Sequence, residues 1–221
     1  MRQIITSTIL LGFFIFGCNQ KKDKSLDSGN KIDSLDYVVI SSAIEQFFFH
    51  PQTLSHRFHS LFDSIAGVDR ALKREEIKML LIADSTTQYE DSISQYIHQK
   101  HNEIDTSDNF LTEKIIGIND QKFGIDNHSI SSFQTKLITH DEINMLRDSI
   151  VHFGYEKLYQ KYSTAYGLIT ISRPAFTDNK DKAIIYIGLN KEPKSGQGAY
   201  LWLKKINDKW IAYDLVFLWE S

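Results

Sequence analysis

Three runs near the C-terminus decide the fold: AIIYIGL (Ala183–Leu189), AYLWLKKI (Ala199–Ile206) and WIAYDLVFLW (Trp210–Trp219). Each is rich in β-branched and aromatic residues and is bounded by polar or glycine-containing stretches, the composition of strands rather than helices. Asn207-Asp208 separates the last two runs. Both residues tolerate positive φ, so a two-residue hairpin is expected there. Asp178 to Asp181 reads as a polar turn, and Lys191 to Gly198 as a longer loop holding Pro193, Gly196 and Gly198. With Leu168 to Ser172 upstream, these runs predict an antiparallel β-meander of about four strands.

Upstream of the meander the apolar period changes. Leu35, Val38, Val39, Ala43, Ile44, Phe47 and Phe48 recur at helical spacing behind the candidate caps Asp33 and Ser34, and Pro51 follows as a stop. A helix over Leu35 to Phe49 is expected. Phe58, Leu61, Phe62, Ile65 and Ala66 predict a shorter helix ending at Gly67, and Tyr89, Ile93, Tyr96 and Ile97 a further stripe. Ile77 to Ala83 is compact and apolar, which suits a buried strand. Phe133 to Ile138 reads as a strand, and Asp141 to Arg147 and Tyr155 to Tyr162 as short helices. Residues 101–132 are polar and give only brief apolar runs such as Lys114 to Ile118. Helices early and strands late predict one α+β domain over residues 32–221, its N-terminal helices packed on one face of the C-terminal sheet.

The first residues are of another kind. Met1-Arg2-Gln3 precedes an almost unbroken apolar and small-residue run from Ile4 to Phe16, and Gly17 stands before Cys18, the single cysteine of the 221-residue chain. A positive start, an apolar centre and a small residue at the cut make residues 1–17 a signal peptide. The run is shorter than the ~20 residues that a membrane-spanning helix needs. Residues 19–31, rich in Lys, Asp, Ser and Gly, have too little apolar surface to fold and complete a tether over 18–31. The segment Ile15-Phe16-Gly17-Cys18 resembles the lipobox of bacterial lipoproteins. The resemblance implies that Cys18 is lipidated and becomes the mature N-terminus, so that the membrane is a partner through the lipid. It also implies a cell-envelope location, with the outer membrane, at its periplasmic or surface face, the expected site.

A second resemblance lies in Ile171-Ser172-Arg173-Pro174-Ala175-Phe176, Ala183-Ile184-Ile185-Tyr186, Gly196-Gln197-Gly198 and the closing Leu218-Trp219-Glu220-Ser221. These are similar to the C-terminal part of uncharacterised lipoproteins and secreted proteins of the Bacteroidetes, which carry no activity to transfer. The triplets Asp33-Ser34-Leu35, Asp63-Ser64-Ile65, Asp84-Ser85-Thr86, Asp91-Ser92-Ile93 and Asp148-Ser149-Ile150 resemble the O-glycosylation sequon of exported proteins of that phylum. They offer Ser34, Ser64, Ser85, Ser92 and Ser149 as acceptors, although Asp-Ser is also ordinary helix-cap grammar.

Few residue patterns carry chemistry. His56 and His59 are three apart, as are His98 and His101, so each pair shares a helix face, and two pairs could complete a tetrahedral metal site. The alternative is solvated histidines at helix edges, since neither HExxH nor a Cys/His framework is present. Ser172-Arg173 could bind an anion, or form a strand terminus whose Arg pairs with a neighbouring acid. Gly196-Gln197-Gly198 reads as a hairpin loop, lacking the helix that a phosphate loop requires. The aromatics Tyr200, Trp202, Trp210, Tyr213, Phe217 and Trp219 are expected mainly as core, because one sheet face must be buried. The net charge of −3 drops to about −4 once Arg2 leaves with the signal peptide, which gives no footprint for nucleic acid. No cofactor is implied. The chain therefore reads as an envelope lipoprotein carrying a non-enzymatic binding or structural domain for an envelope protein. The alternatives are a metal-binding protein or metal-dependent hydrolase built on the histidine pairs, and a small-ligand binder with a pocket between sheet and helices.

Overall fold

A computed structural model describes residues 31–49, 77–87, 109–126, 130, 134–146, 156–192 and 195–220. The expected signal peptide, the expected tether up to residue 30, and the helices expected at Phe58–Ala66 and Tyr89–Ile97 lie outside the described residues. Within them are four helices, α1 (Ser34–Phe49), α2 (Asn109–Ile118), α3 (His140–Leu146) and α4 (Glu156–Lys161). Seven strands accompany them: β1 (Met79–Ala83), β2 (Thr135–Ile138), β3 (Ala165–Ile171), β4 (Ala175–Phe176), β5 (Lys182–Glu192), β6 (Ser195–Ile206) and β7 (Lys209–Glu220).

The strands form one mixed sheet in the order β2-β1-β3-β5-β6-β7, with β4 paired to β5. The four-stranded meander is there as β3-β5-β6-β7, antiparallel throughout. Asn207 and Asp208 have φ of 48° and 60°, the left-handed pair that a tight hairpin between β6 and β7 demands. Two expectations about the strands need correction. The sheet exceeds four strands because β1 and β2 join it in parallel, β1 lying between β2 and β3. The Lys191–Gly198 loop is mostly strand, because β5 runs to Glu192 and β6 begins at Ser195.

Helices cover both faces of the sheet, not one. On β5, Ala183, Ile185, Ile187 and Leu189 share a core with Val39, Ile40, Ala43, Ile44 and Phe47 of α1. Ile184 and Tyr186 point the other way, into a cluster with Leu111 and Ile115 of α2 and with Tyr200 and Trp202. Leu81 and Leu168 extend that second face towards Leu158 of α4. Strands buried on both sides read as near-continuous apolar runs, as MLLIA in β1 and AIIYI in β5 do.

The start of α1 is fixed by two reciprocal bonds: the Asp36 N–H donates to Asp33 Oδ1 at 2.9 Å, and the Asp33 N–H to Asp36 Oδ2 at 3.2 Å. This is a capping box with aspartate in the third helical position. Its buried stripe includes Ile40 and leaves Val38 half exposed.

Candidate functional site

Parallel pairing places the carboxyl ends of β1, β2 and β3 side by side. The chain leaves β1 for β2 on one side and returns to β3 on the other, so the strand order reverses at β1. In open sheets with parallel strands, ligands bind in the crevice outside the carboxyl ends at such a reversal.

Asp84-Ser85-Thr86-Thr87 follows β1 directly and is stitched to its neighbours through the backbone. The Asp84 N–H donates to the Ile138 carbonyl at 2.9 Å, at the end of β2, and the Thr87 N–H to the Ile171 carbonyl at 2.7 Å, at the end of β3. Residues 123–125 close the outside: the Thr86 N–H donates to the Phe123 carbonyl at 2.9 Å, the Phe123 N–H to Thr86 Oγ1 at 2.9 Å, and the Ile125 N–H to the Asp84 carbonyl at 2.8 Å. The backbone donors of Asp84, Thr86 and Thr87 are thus consumed. Asp84 Oδ1, Ser85 Oγ and Thr87 Oγ1 are buried and accept or donate no hydrogen bond among the described residues. Buried polar atoms are almost always paired, because an unmade bond costs on the order of 1–3 kcal/mol. Three such oxygens within four residues therefore mark this turn.

Beside it, Arg173 extends from the end of β3. Its Nε donates to Asp36 Oδ2 at 2.9 Å, and its guanidinium lies 4.7 Å from the centre of the Phe123 ring. Burial pushes the Asp36 carboxyl above the ordinary aspartate value, outweighing the pull of Arg173 in the other direction. The Arg173 N–H donates to Asn119 Oδ1 at 2.7 Å, while Asn119 Nδ2 donates to the Arg173 and Ile115 carbonyls at 3.0 and 2.9 Å. Ser172 Oγ accepts from the Tyr186 N–H at 2.9 Å. Ser172 and Arg173 hence tie α1, the end of α2 and the sheet into one corner. Arg173 has the acid partner that one of the two sequence readings required.

No family model matches this chain, and no curated protein or solved structure matches it either.

The residues singled out from sequence distribute unevenly. Cys18, the pairs His56/His59 and His98/His101, and Ser64, Ser92 and Ser149 lie outside the described residues. Among the described residues, no three His, Cys, Asp or Glu side chains gather as metal ligands. Ser34 is exposed at the first turn of α1. Ser85 corrects its own expectation: it is 1% exposed and its backbone bridges to Gly124, so no glycan can sit on it in this fold. Tyr200, Trp202 and Trp210 are buried and Tyr213, Phe217 and Trp219 half-buried, as core-filling aromatics are.

The glycine pattern has a structural use. Gly198 lies opposite Gly188 in the β5–β6 pair, and a Cβ on Gly198 would collide with the Trp219 indole, whose Nε1 donates to the Tyr186 hydroxyl at 3.0 Å. Two open clefts lie on the surface of the described residues. One of about 770 Å³ lies at the far end of the sheet between α4 and β5, walled by Tyr159, Tyr166 and Lys191. The other, of about 640 Å³, lies between α1 and the start of β7.

The Asp84–Thr87 turn was hidden in the sequence behind its likeness to a glycosylation triplet. The signal that would have found it is a polar run placed immediately after an all-apolar strand.

Proposed function

We propose that the chain is an exported, lipid-anchored envelope protein whose α+β domain binds a ligand or part of a partner in the crevice at the carboxyl ends of β1, β2 and β3. One observation carries this reading: the three partnerless buried oxygens of Asp84, Ser85 and Thr87 stand at the reversal of strand order. Binding is favoured over catalysis because Ser172, Asn119 and Arg173, the reactive types beside the crevice, are held in bonds that build the corner. The lipid anchor rests on the Gly17-Cys18 junction and on the polar residues between it and the domain.

The test is site-specific photo-crosslinking of the full-length protein in its own cells. A photoreactive side chain at Thr87 is expected to give discrete adducts that the same group at Met145, 76% exposed on α3, does not give. Identical adducts from both positions, or none from Thr87, would remove the crevice from consideration.

A further inference from the structure

We infer that the tip of the β5–β6–β7 meander is a second membrane contact, which lays a basic and apolar face on anionic lipid headgroups. The inference rests on the lipid anchor of the proposed function and names the surface towards which the domain turns.

Strand register sets the pattern. Lys182, Lys204 and Ile211 are partners in one row across β5, β6 and β7, and Ile206 pairs with Lys209 in the last row before the turn. Side chains alternate along a strand. These five therefore share the face opposite α1, because their neighbours Ala183, Leu203 and Trp210 pack in the core with that helix. Ile206 is 39% exposed and Ile211 40%, with Lys204 and Lys209 exposed beside them. The Lys204 and Lys182 ammonium groups lie 5.6 and 5.9 Å from the centre of the Tyr213 ring on the same face. The acids of this end are engaged elsewhere: Asp208 pairs with Lys205 at 3.0 Å, Asp178 with Lys114 at 3.2 Å, and Asp181 accepts from the Thr177 hydroxyl at 2.8 Å. Lysines alone would guard a sheet edge, whereas exposed isoleucines set between them invite association. A lipid surface satisfies both, its anionic headgroups drawing the ammonium groups while the isoleucines enter the acyl boundary.

The tip also faces the anchor. Lys31 bridges to Gly124 and Gly124 to Ser85, beside the end of β3. There the Ser172 N–H donates to the Tyr186 carbonyl at 3.1 Å, and Tyr186 is the partner of Tyr200. β6 runs on from Tyr200 to Ile206 in the direction of β1 and β3. At ~3.3 Å per residue, the tip stands about 20 Å beyond the level of Lys31. If residues 18–31 are the tether that their composition predicts, its span is also about 20 Å, so the tip reaches the surface that holds the lipid.

The experiment is fluorescence of the full-length protein reconstituted into vesicles of phosphatidylcholine, and separately into an equal mixture of phosphatidylcholine and phosphatidylglycerol. An environment-sensitive dye on Ile206→Cys is expected to shift to the blue in the mixed vesicles only. The shift is expected to vanish in about 1 M NaCl, where charges reach only ~3 Å. The same dye on Glu220→Cys, exposed at the other end of β7, is expected to report water in both vesicles. Lys204→Glu with Lys209→Glu is expected to abolish the shift with thermal unfolding unchanged. Lys209→Gln alone, the milder variant should the double reversal fail to fold, is expected to lower the ratio of bound to free tip about fivefold. An equal shift in both vesicles, a shift that survives these substitutions, or one reproduced by soluble heparin overturns the membrane contact. Flotation separates this from the anchor. A protein that floats with both vesicles while the dye at position 206 stays in water keeps its anchor and loses the tip contact; floating with neither removes both, and floating with the mixed vesicles alone keeps the tip contact and removes the acyl anchor.

Discussion

At the residue scale the corner around Arg173 sets an asymmetry that a list of ion pairs would miss. Asp36 is 1% exposed at its side chain and Arg173 29%. Removing the arginine strands a carboxylate in the interior, whereas removing the acid leaves a guanidinium that still reaches water and still stacks on Phe123. Loss of one partner of a buried pair costs roughly 3–5 kcal/mol when the survivor cannot be solvated. Arg173→Ala is thus expected to destabilise by about 3 kcal/mol at pH 7 and Asp36→Asn by about half that or less. The pH dependence follows from the raised carboxyl. Because the folded Asp36 holds its proton to higher pH than the unfolded chain, whose ordinary value is 3.8, its contribution to stability falls as pH rises from about 4 through the folded value. Removing Arg173 raises the folded value further, so the deficit of Arg173→Ala shrinks on acidification; urea denaturation at a series of pH values checks both the ordering and the trend. Little of this was legible beforehand. The Ser172-Arg173 pair could be singled out, but Asp36 is 137 residues away and reads in sequence only as a first-turn acid of a helix.

At the scale of elements, most of the fold was legible where local chemistry and tertiary position agree. The hairpin at Asn207-Asp208, the helix over α1 and the short helices α3 and α4 fall where period and cap residues placed them, since each is decided by neighbours in the chain. What escaped is non-local. Parallel pairing of β1 and β2 onto the meander requires crossovers, and α2 buries only Leu111, Ile115 and Thr112 from a polar stretch, too few to make a convincing stripe. The sheet also ends in an edge that sequence could not show to be guarded. On β7, Gln46 of α1 donates from Nε2 to the Trp210 carbonyl at 3.0 Å and accepts at Oε1 from the Ala212 N–H at 2.6 Å, occupying the bonds that a further strand would use. Register shifts at Trp202/Leu203 and Gly198/Ala199 bend the same strand. Unpaired edges recruit other chains, and natural sheets block or bend them. Gln46→Ala is expected to cost about 1–2 kcal/mol, chiefly through the two lost bonds to the edge strand, the third, from Nε2 to the Ser42 carbonyl, lying within α1. It is also expected to produce concentration-dependent association; light scattering that stays monomeric at high concentration would show that the bulges alone protect the edge.

For the whole molecule, the start of the described domain and the crevice lie at one end of the sheet. Lys31, where the described domain begins, bridges to Gly124, and Gly124 bridges to Ser85. Two strand spacings of about 4.8 Å put Lys31 roughly 10 Å from the turn that carries the proposed site. If the segment between Cys18 and Lys31 is the tether its composition predicts, its root-mean-square span is about 20 Å. A lipid on Cys18 would therefore hold the crevice within on the order of 30 Å of the bilayer surface, and the opposite end, with its Tyr159/Tyr166 cleft, further out. In the proposed arrangement the anchor is separable from the fold. Among the described residues the core starts at Ile32. Cys18→Ser is accordingly expected to shift the protein from the detergent phase to the aqueous phase on cloud-point partition, with its midpoint of thermal unfolding unchanged within about 2 °C, less than the shift that ~1 kcal/mol would cause in a domain of this size. Persistence of the variant in the detergent phase would mean that something other than acyl chains holds the chain to the membrane. A lowered midpoint would mean instead that the tether packs on the domain, and the distance argued for the crevice would have to be shortened.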